Sequence, residues 1–364
     1  MGSVISQTGS QASGAAEYRN GLQLWAEQVN AAGGLLGRKV ELRLKDDGSQ
    51  AARAGPAYAD LIREGAHVLV GPYGSAATLT AAAEAERARR VMLNAAGLSS
   101  QVHRRSPRYV FQTAPPYAAH ADGVVELARA AGVQSLFIAA RDDVASREMG
   151  EAALALAKAH GFPQAQLAVF AGSTEDFLPE LYQAMAMQAD GWIAFGETRD
   201  AADMVKTFKQ HGFVPRILYA RASLDERFLA LVGQDAEFVL GSKDYDPGAA
   251  RDGNRAFVAA YAAKWSRPPG SRAGAAYAAG TVLAEAVRRS GSLDSEKLRA
   301  ELARMEFDTV LGRYRVDATG AQVGMKPPVM QIVKGRASTV WPPELADRGT
   351  LAAFPAWSER EVMR

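Results

Sequence analysis

The sequence predicts an α/β protein built as two doubly wound lobes in series. Three observations carry that prediction. Short apolar runs alternate with helix-length segments through the first two-thirds of the chain, several of those runs end in a polar, often glycine-bearing turn, and the rhythm is interrupted once by consecutive prolines, Pro115-Pro116. Strict alternation of this kind implies a parallel sheet with helices on both faces. Ligands of such sheets gather at the carboxyl ends of the strands. A chain of 364 residues is long enough for two domains whose cores need no cross-links.

Taken in order, Tyr18, Leu22, Trp25 and Val29 recur at helical spacing and Gly33-Gly34 supply a left-handed stop, which predicts a first helix over about 15–32. Val40, Leu42 and Leu44 alternate with Lys39, Glu41, Arg43 and Lys45, a strand with one polar face near a sheet edge. Asp46-Asp47-Gly48-Ser49 then turns into a helix ending about 64. The stretch 68–100 reads as strand, polar turn, helix, strand, polar turn: residues 67–71 are apolar, 71–74 turn, and Ser75 or Thr78 opens a helix through 89. The unpaired amides of such a helix start, with their partial positive charge, make a ready site for a carboxylate or phosphate. The same pattern also describes an ordinary capped helix in a βαβ unit. A strand at 109–112 precedes the stiff segment Thr113-Ala114-Pro115-Pro116, which suits a crossing between lobes.

The second half repeats the rhythm, with strands at 135–140, 167–170, 192–195, 217–219 and 238–240 and helices at about 146–160, 176–188 and 199–211. Beyond Lys243 the pattern changes to helices near 253–265, 272–289 and 295–304, then short strands at 312–316 and 329–334. The last twenty residues, with Trp341-Pro342-Pro343 just before them and Pro355 within, read as an ordered or half-ordered tail.

Composition removes several classes of function. Lysine plus arginine number 42 against 40 acids, and a balance of +2 without a basic block argues against nucleic acid as a partner. The absence of cysteine excludes disulfides, thiolate metal sites and cysteine nucleophiles. His67, His103, His120, His160 and His211 are scattered without ligand spacing, so no metal is expected, and no nucleotide loop or serine elbow is present, so no cofactor is expected. The acid pairs Asp46-Asp47 and Asp142-Asp143 stand at strand ends, where they either bind a cation or act in acid–base chemistry, or form a solvated strand end or helix cap. No apolar run of about 18 residues is found. The start, MGSVISQTGS, lacks the basic and apolar regions of a signal peptide, and Val4-Ile5 followed by Gln7-Thr8-Gly9 reads as the last half of a strand running into its loop, so a leader is expected to be absent from this chain.

Three stretches together, GLQLWAEQVNAAGGLLGRKVELRLKDDGSQ, GPYGSAATL and EFDTVLGRYRVDATG, resemble the type I periplasmic solute-binding proteins of ABC importers, in the branch that includes the leucine/isoleucine/valine binders. The similarity runs over about residues 4–340. It implies two Rossmann-like lobes joined by a three-segment hinge, which close around a ligand. Chain order then assigns lobe one to 1–115 and 246–325, lobe two to 116–245 and 326–345, and a tail to 346–364. The resemblance also implies a periplasmic receptor that captures a small carboxylate and docks transiently on an ABC permease, with no catalysis; monomers are usual in the family. The alternative is a cytoplasmic ligand sensor of the same fold that controls a regulatory partner. An enzyme using Asp142, Asp143 or Glu197 is a third reading.

By the same resemblance, the carboxylate is held in lobe one at Ser75 with its neighbours Ala76 and Ala77, and by a backbone amide and hydroxyl in the next loop, matching Gly97 and Ser99. Tyr117 belongs to the expected ligand contacts. Departures from the family carry the ligand information. A carboxylate that faces the ligand's ammonium in the amino-acid binders matches Arg221, a pocket tyrosine matches Glu197, and three aromatic positions fall at Ala145, Gly14 and Arg272. Three lost aromatics and two gained arginines imply a larger, more positive site, suited to a ligand with more negative charge or no ammonium. Alternatively, the two arginines bend into solvent or pair with acids such as Asp142 and Asp143.

Overall fold

The computed structural model describes residues 1–346, 351 and 354–362. The chain forms two compact units: unit 1 is Met1–Pro116 with Asp244–Met325, and unit 2 is Tyr117–Lys243 with Lys326–Arg364. It therefore passes from one unit to the other three times.

Unit 1 begins with β1 (Gly2–Val4), α1 (Ala12–Ala31), β2 (Arg43–Lys45), α2 (Ala51–Arg63), β3 (Leu69–Val70), α3 (Ser75–Arg87), β4 (Met92–Asn94) and β5 (Val110–Gln112). Unit 2 follows with α4 (His120–Ala130), β6 (Ser135–Arg141), α5 (Val144–Ala159), β7 (Gln164–Phe170), α6 (Leu178–Ala186), β8 (Gly191–Phe195), α7 (Thr198–Gln210), β9 (Ile217–Ala220), α8 (Glu226–Val232) and β10 (Leu240–Ser242). The chain returns to unit 1 for α9 (Asn254–Trp265), α10 (Ser271–Ser290), α11 (Ser295–Arg304), β11 (Phe307–Thr309) and β12 (Gly312–Tyr314), and ends in unit 2 with β13 (Val329–Val333), β14 (Arg336–Trp341) and α12 (Trp357–Val362).

The α/β class holds. In unit 1 the order β2-β1-β3-β4-β5 is parallel throughout, with Ser3 opposite both Leu44 and Val70. In unit 2 the order is β14-β13-β10-β9-β8-β6-β7, parallel from β7 to β10 and closed by the antiparallel hairpin β13–β14. Helices cover both faces of each sheet because most strands are apolar on both sides, as Leu136–Ala140 and Trp192–Phe195 show by being wholly buried.

On one face of the unit 1 sheet, Tyr18, Leu22 and Trp25 of α1 pack with Ala276, Ala279 and Val282 of α10. Those helices approach closely because α1 has no side chain at Gly21, where a Cβ would lie 2.3 Å from the Ala273 carbonyl oxygen. On the other face, Tyr58 and Leu61 of α2 meet Ala81 and Ala85 of α3. In unit 2, Trp192 is fully buried, stacked at 4.7 Å on Phe137 and edge-on at 4.6 Å to Phe208. Each such fully buried apolar side chain contributes roughly 1.5–3 kcal/mol.

Several elements differ from the sequence reading. The segment after Pro116 forms the unexpected helix α4, the run 329–334 is one arm of a hairpin whose return strand is β14, and β2 is confined to Arg43–Lys45. Residues ahead of β2 are held differently: the Asn30 side chain takes both the N–H and the carbonyl of Val40, at 2.6 and 2.9 Å. Within the tail, Trp357 Nε1 donates to the Phe213 carbonyl at 2.8 Å. Residues 347–350, 352–353 and 363–364 of the expected tail lie outside the described residues.

Candidate functional site

In unit 1 the candidate residues stand where β3 and β4 end. Gly74, with φ +95°, is the N-cap of α3, so Ser75 is the first helical residue and not the cap. No side chain caps this helix; Thr78 Oγ1 instead donates back to the Gly74 carbonyl at 2.8 Å. Among the described residues the N–H groups of Ser75, Ala76 and Ala77 have no acceptor, as a first turn without a capping side chain dictates. Ser75 is half-buried, Ala76 exposed and Ala77 buried. Ser75 Oγ accepts from the Ser99 N–H at 3.3 Å, which ties the helix start to the loop after β4. Ser99 is 2% exposed, and its own Oγ accepts from the Gln101 N–H.

Gly97 departs from expectation. Its N–H donates to Asn94 Oδ1 at 2.8 Å and its carbonyl accepts from Asn94 Nδ2 at 2.7 Å, so the amide proposed for a ligand already has its acceptor. Glycine is required there for packing, since a Cβ would lie 2.3 Å from Thr78 Oγ1. The buried Asn94, absent from the sequence reading, is the residue that shapes this loop.

The acid pair Asp46-Asp47 is consumed by its own surroundings. Asp46 accepts from Thr8 Oγ1 at 2.7 Å and from the N–H groups of Gln7 and Gly48, and these bonds, that from Thr8 foremost, hold its carboxyl below the ordinary range. Asp47, 1% exposed, accepts from Ser6 Oγ at 2.7 Å and the Ser49 N–H at 2.9 Å. Both act as turn acceptors.

Gly14, Tyr73 and Arg272 come together in unit 1. The Arg272 guanidinium lies 5.6 Å from the Tyr73 ring centroid. A Cβ on Gly14 would stand 2.6 Å from Tyr73 Oη and 3.0 Å from Arg272 Nε. The expected void at Gly14 is therefore corrected: the phenol and the guanidinium occupy it.

In unit 2, Glu197 and Arg221 line one small crevice, with Gly196, Asp200 and Ala222, at the ends of β8 and β9. Glu197 is exposed at the N-cap of α7, and half-buried Arg221 opens a 3₁₀ turn, Arg221–Leu224. The fixed charges nearby form a network invisible in the motif. Arg141 Nη1, at the end of β6, reaches both oxygens of Asp200 at 2.9 Å, and Asp200 accepts from the Glu197 N–H at 2.7 Å. The Asp200 contact first, with help from Glu197 and Asp143, raises the Arg141 pKa above its ordinary value. Asp142 bonds Arg147 at 2.7 Å, which holds its carboxyl low, and Asp143 caps α5 through the Ser146 N–H at 2.9 Å. Pairing of these two acids with the candidate arginines is thereby corrected. Tyr117 and Ala145 are both half-buried against the same apolar cluster of α4, α5 and the sheet.

Among the described residues no group of three or more histidine, aspartate or glutamate side chains is arranged to hold a metal ion. No described helix is long and apolar enough to cross a membrane. The arrangement offers oriented donors and cations.

Comparison with known proteins gives this geometry a family. The model of the periplasmic binding proteins matches residues 1–337. The chain belongs to the periplasmic binding protein family. It is 24% identical over 319 residues to the leucine-, isoleucine-, valine-, threonine- and alanine-binding protein of Pseudomonas aeruginosa, covering 83% of this chain and 81% of that protein. Among solved structures, the leucine binding protein of Thermotoga maritima superposes with a TM-score of 0.73 at 22% identity, over 93% of this chain and 96% of that one. An ABC-transporter solute-binding protein of Rhodopseudomonas palustris, in complex with benzoate, gives 0.71 at 20% identity, over 93% and 94%. All three of these relatives are named as binding proteins, and the third as one of an ABC transporter.

Proposed function

We propose that this periplasmic binding protein is the extracytoplasmic receptor of an ABC importer and captures a small carboxylate, either an amino acid or an organic or aromatic acid. The observation that carries the reading is the joined Ser75–Ser99 pair beside the three unpaired amides of α3. Hydroxyls beside unpaired amides suit a carboxylate, and charge-assisted bonds of this kind contribute roughly 1.5–3 kcal/mol each. The named ligands of the relatives support the class, since the branched-chain amino acids and benzoate share a carboxylate.

In this reading selectivity falls to Glu197 and Arg221 in unit 2 and to Arg272 in unit 1. The ligand favours a closed state by binding it more tightly, the hinge being the three passages of the chain between units. The loaded monomer then docks on its permease. A thermal-shift screen over amino acids, aromatic acids and dicarboxylates tests the proposal: a specific ligand raises the midpoint with its occupancy. A panel with no shift, repeated by calorimetry with no heat, overturns it.

A further inference from the structure

We propose that Gly14, Tyr73 and Arg272 form a second anion subsite on unit 1, so that the preferred ligand carries two acidic groups, as a dicarboxylate or an acidic amino acid does. The inference rests on the carboxylate-receptor reading above and specifies its ligand.

Sequence and packing build this subsite together. Gly14 lies in the first turn of α1, which follows β1, and Tyr73 lies two residues before Ser75 in the loop after β3, the strand paired with β1. Arg272 is the second residue of α10, brought onto α1 by the close crossing at Gly21. The guanidinium is thus fixed by a ring at 5.6 Å and by the bare backbone of Gly14. Stacking of this type orients a guanidinium while leaving its five N–H groups available.

Among the described residues Arg272 has no carboxylate partner, although it is exposed and stands at a helix start. The nearby Glu17 accepts from the Ala273 N–H through Oε1 at 3.4 Å and makes no ion pair with Arg272 among the described residues. The Asp142 and Asp143 carboxylates also have other partners. A planar guanidinium oriented by Tyr73, two residues before Ser75, favours a second anionic group on the ligand, recognised by bidentate bonds that a methyl group cannot make.

Isothermal titration of the whole chain against matched pairs tests this: valerate with glutarate, and norvaline with glutamate. The expected result is at least about tenfold tighter binding of the diacid in one pair, lost in Arg272→Met and Arg272→Gln. Equal affinities within both pairs, or equal weakening of both members by Arg272→Gln, overturn the second subsite and leave the receptor reading standing. Binding that survives unchanged in Ser75→Ala/Ser99→Ala overturns the first carboxylate site instead. No binding of any of the four compounds overturns both.

Discussion

Replacing Asp200 by alanine should be among the most damaging single changes at the candidate site of unit 2, although the residue is 3% exposed and offers a ligand almost nothing. Its carboxylate accepts from Arg141 at 2.9 Å on both oxygens and from the Glu197 N–H at 2.7 Å. Loss of a helix cap costs about 1 kcal/mol. Breaking a buried ion pair costs about 3–5 kcal/mol, because the remaining charge is stranded. The lower end applies, since the Arg141 side chain keeps 20% of its surface exposed and Glu197 and Asp143 also favour its charge. The sum is a destabilisation of about 4 kcal/mol. Urea denaturation followed by circular dichroism at neutral pH measures it. Asp200→Asn retains an acceptor for the Glu197 N–H and should lose less. Arg141→Met/Asp200→Leu should regain most of the stability, because apolar side chains can replace a buried pair without stranding a charge. A loss under about 1 kcal/mol in Asp200→Ala, the magnitude of a surface pair, refutes the reasoning. So does a double variant no more stable than Asp200→Ala.

Ser75→Ala/Ser99→Ala should weaken carboxylate binding by a few kcal/mol at most, read by calorimetry with whichever ligand the screen identifies. Asn94→Ala removes both bonds that shape the Gly97 loop and should lower stability by about 2 kcal/mol in the same urea assay, from two net hydrogen bonds. Gly97→Ala drives a methyl into Thr78 and should cost about 1–3 kcal/mol, partly restored by adding Thr78→Ala. Burial first, then the neighbouring Glu126, raises the Asp122 carboxyl to about 6, while Lys326 and His160 oppose the shift. The folded protein therefore holds that proton more tightly than the unfolded chain, and stability falls as pH rises from about 4 to 6 and stays lowered above. Asp122→Asn should raise the thermal midpoint at pH 7.5 and give little change at pH 4; equal effects at both values contradict the assignment.

The alternation of apolar runs and helical segments made the parallel sheets legible, since two-sided burial writes a continuous apolar run into a strand. The uncapped helix start was legible for the same local reason: Gly74 and Ser75 end the short turn after β3, and a helix there leaves amides unpaired. What escaped depended on partners distant in sequence. The α4 segment carries Gly123 in its middle, which lowers helix propensity, and the cause is Trp341, whose ring would meet a Cβ there at 2.4 Å. The hairpin to β14 turns at Lys334 and Gly335, both at positive φ, yet a lone Lys-Gly pair gives a weak turn signal. The side chains filling the space at Gly14 belong to residues 73 and 272, so substitution at one position implied a hole that its neighbours close. Asn94 and Arg141 matched no motif because their work is to hold other groups in place.

The close crossing of α1 on α10 has a consequence for the order in which the chain can fold. The apolar stripe of Tyr18, Leu22 and Trp25 finds its cover in residues 271–290, more than two hundred positions later. Until that segment has been synthesised, α1 has an uncovered face and the layer it shares with α10 is incomplete. The stretch Tyr117–Lys243, which supplies five adjacent parallel strands of unit 2, is complete before α10 begins at Ser271. The part of the molecule made first is thus among the last to be finished, and contacts of such separation close slowly.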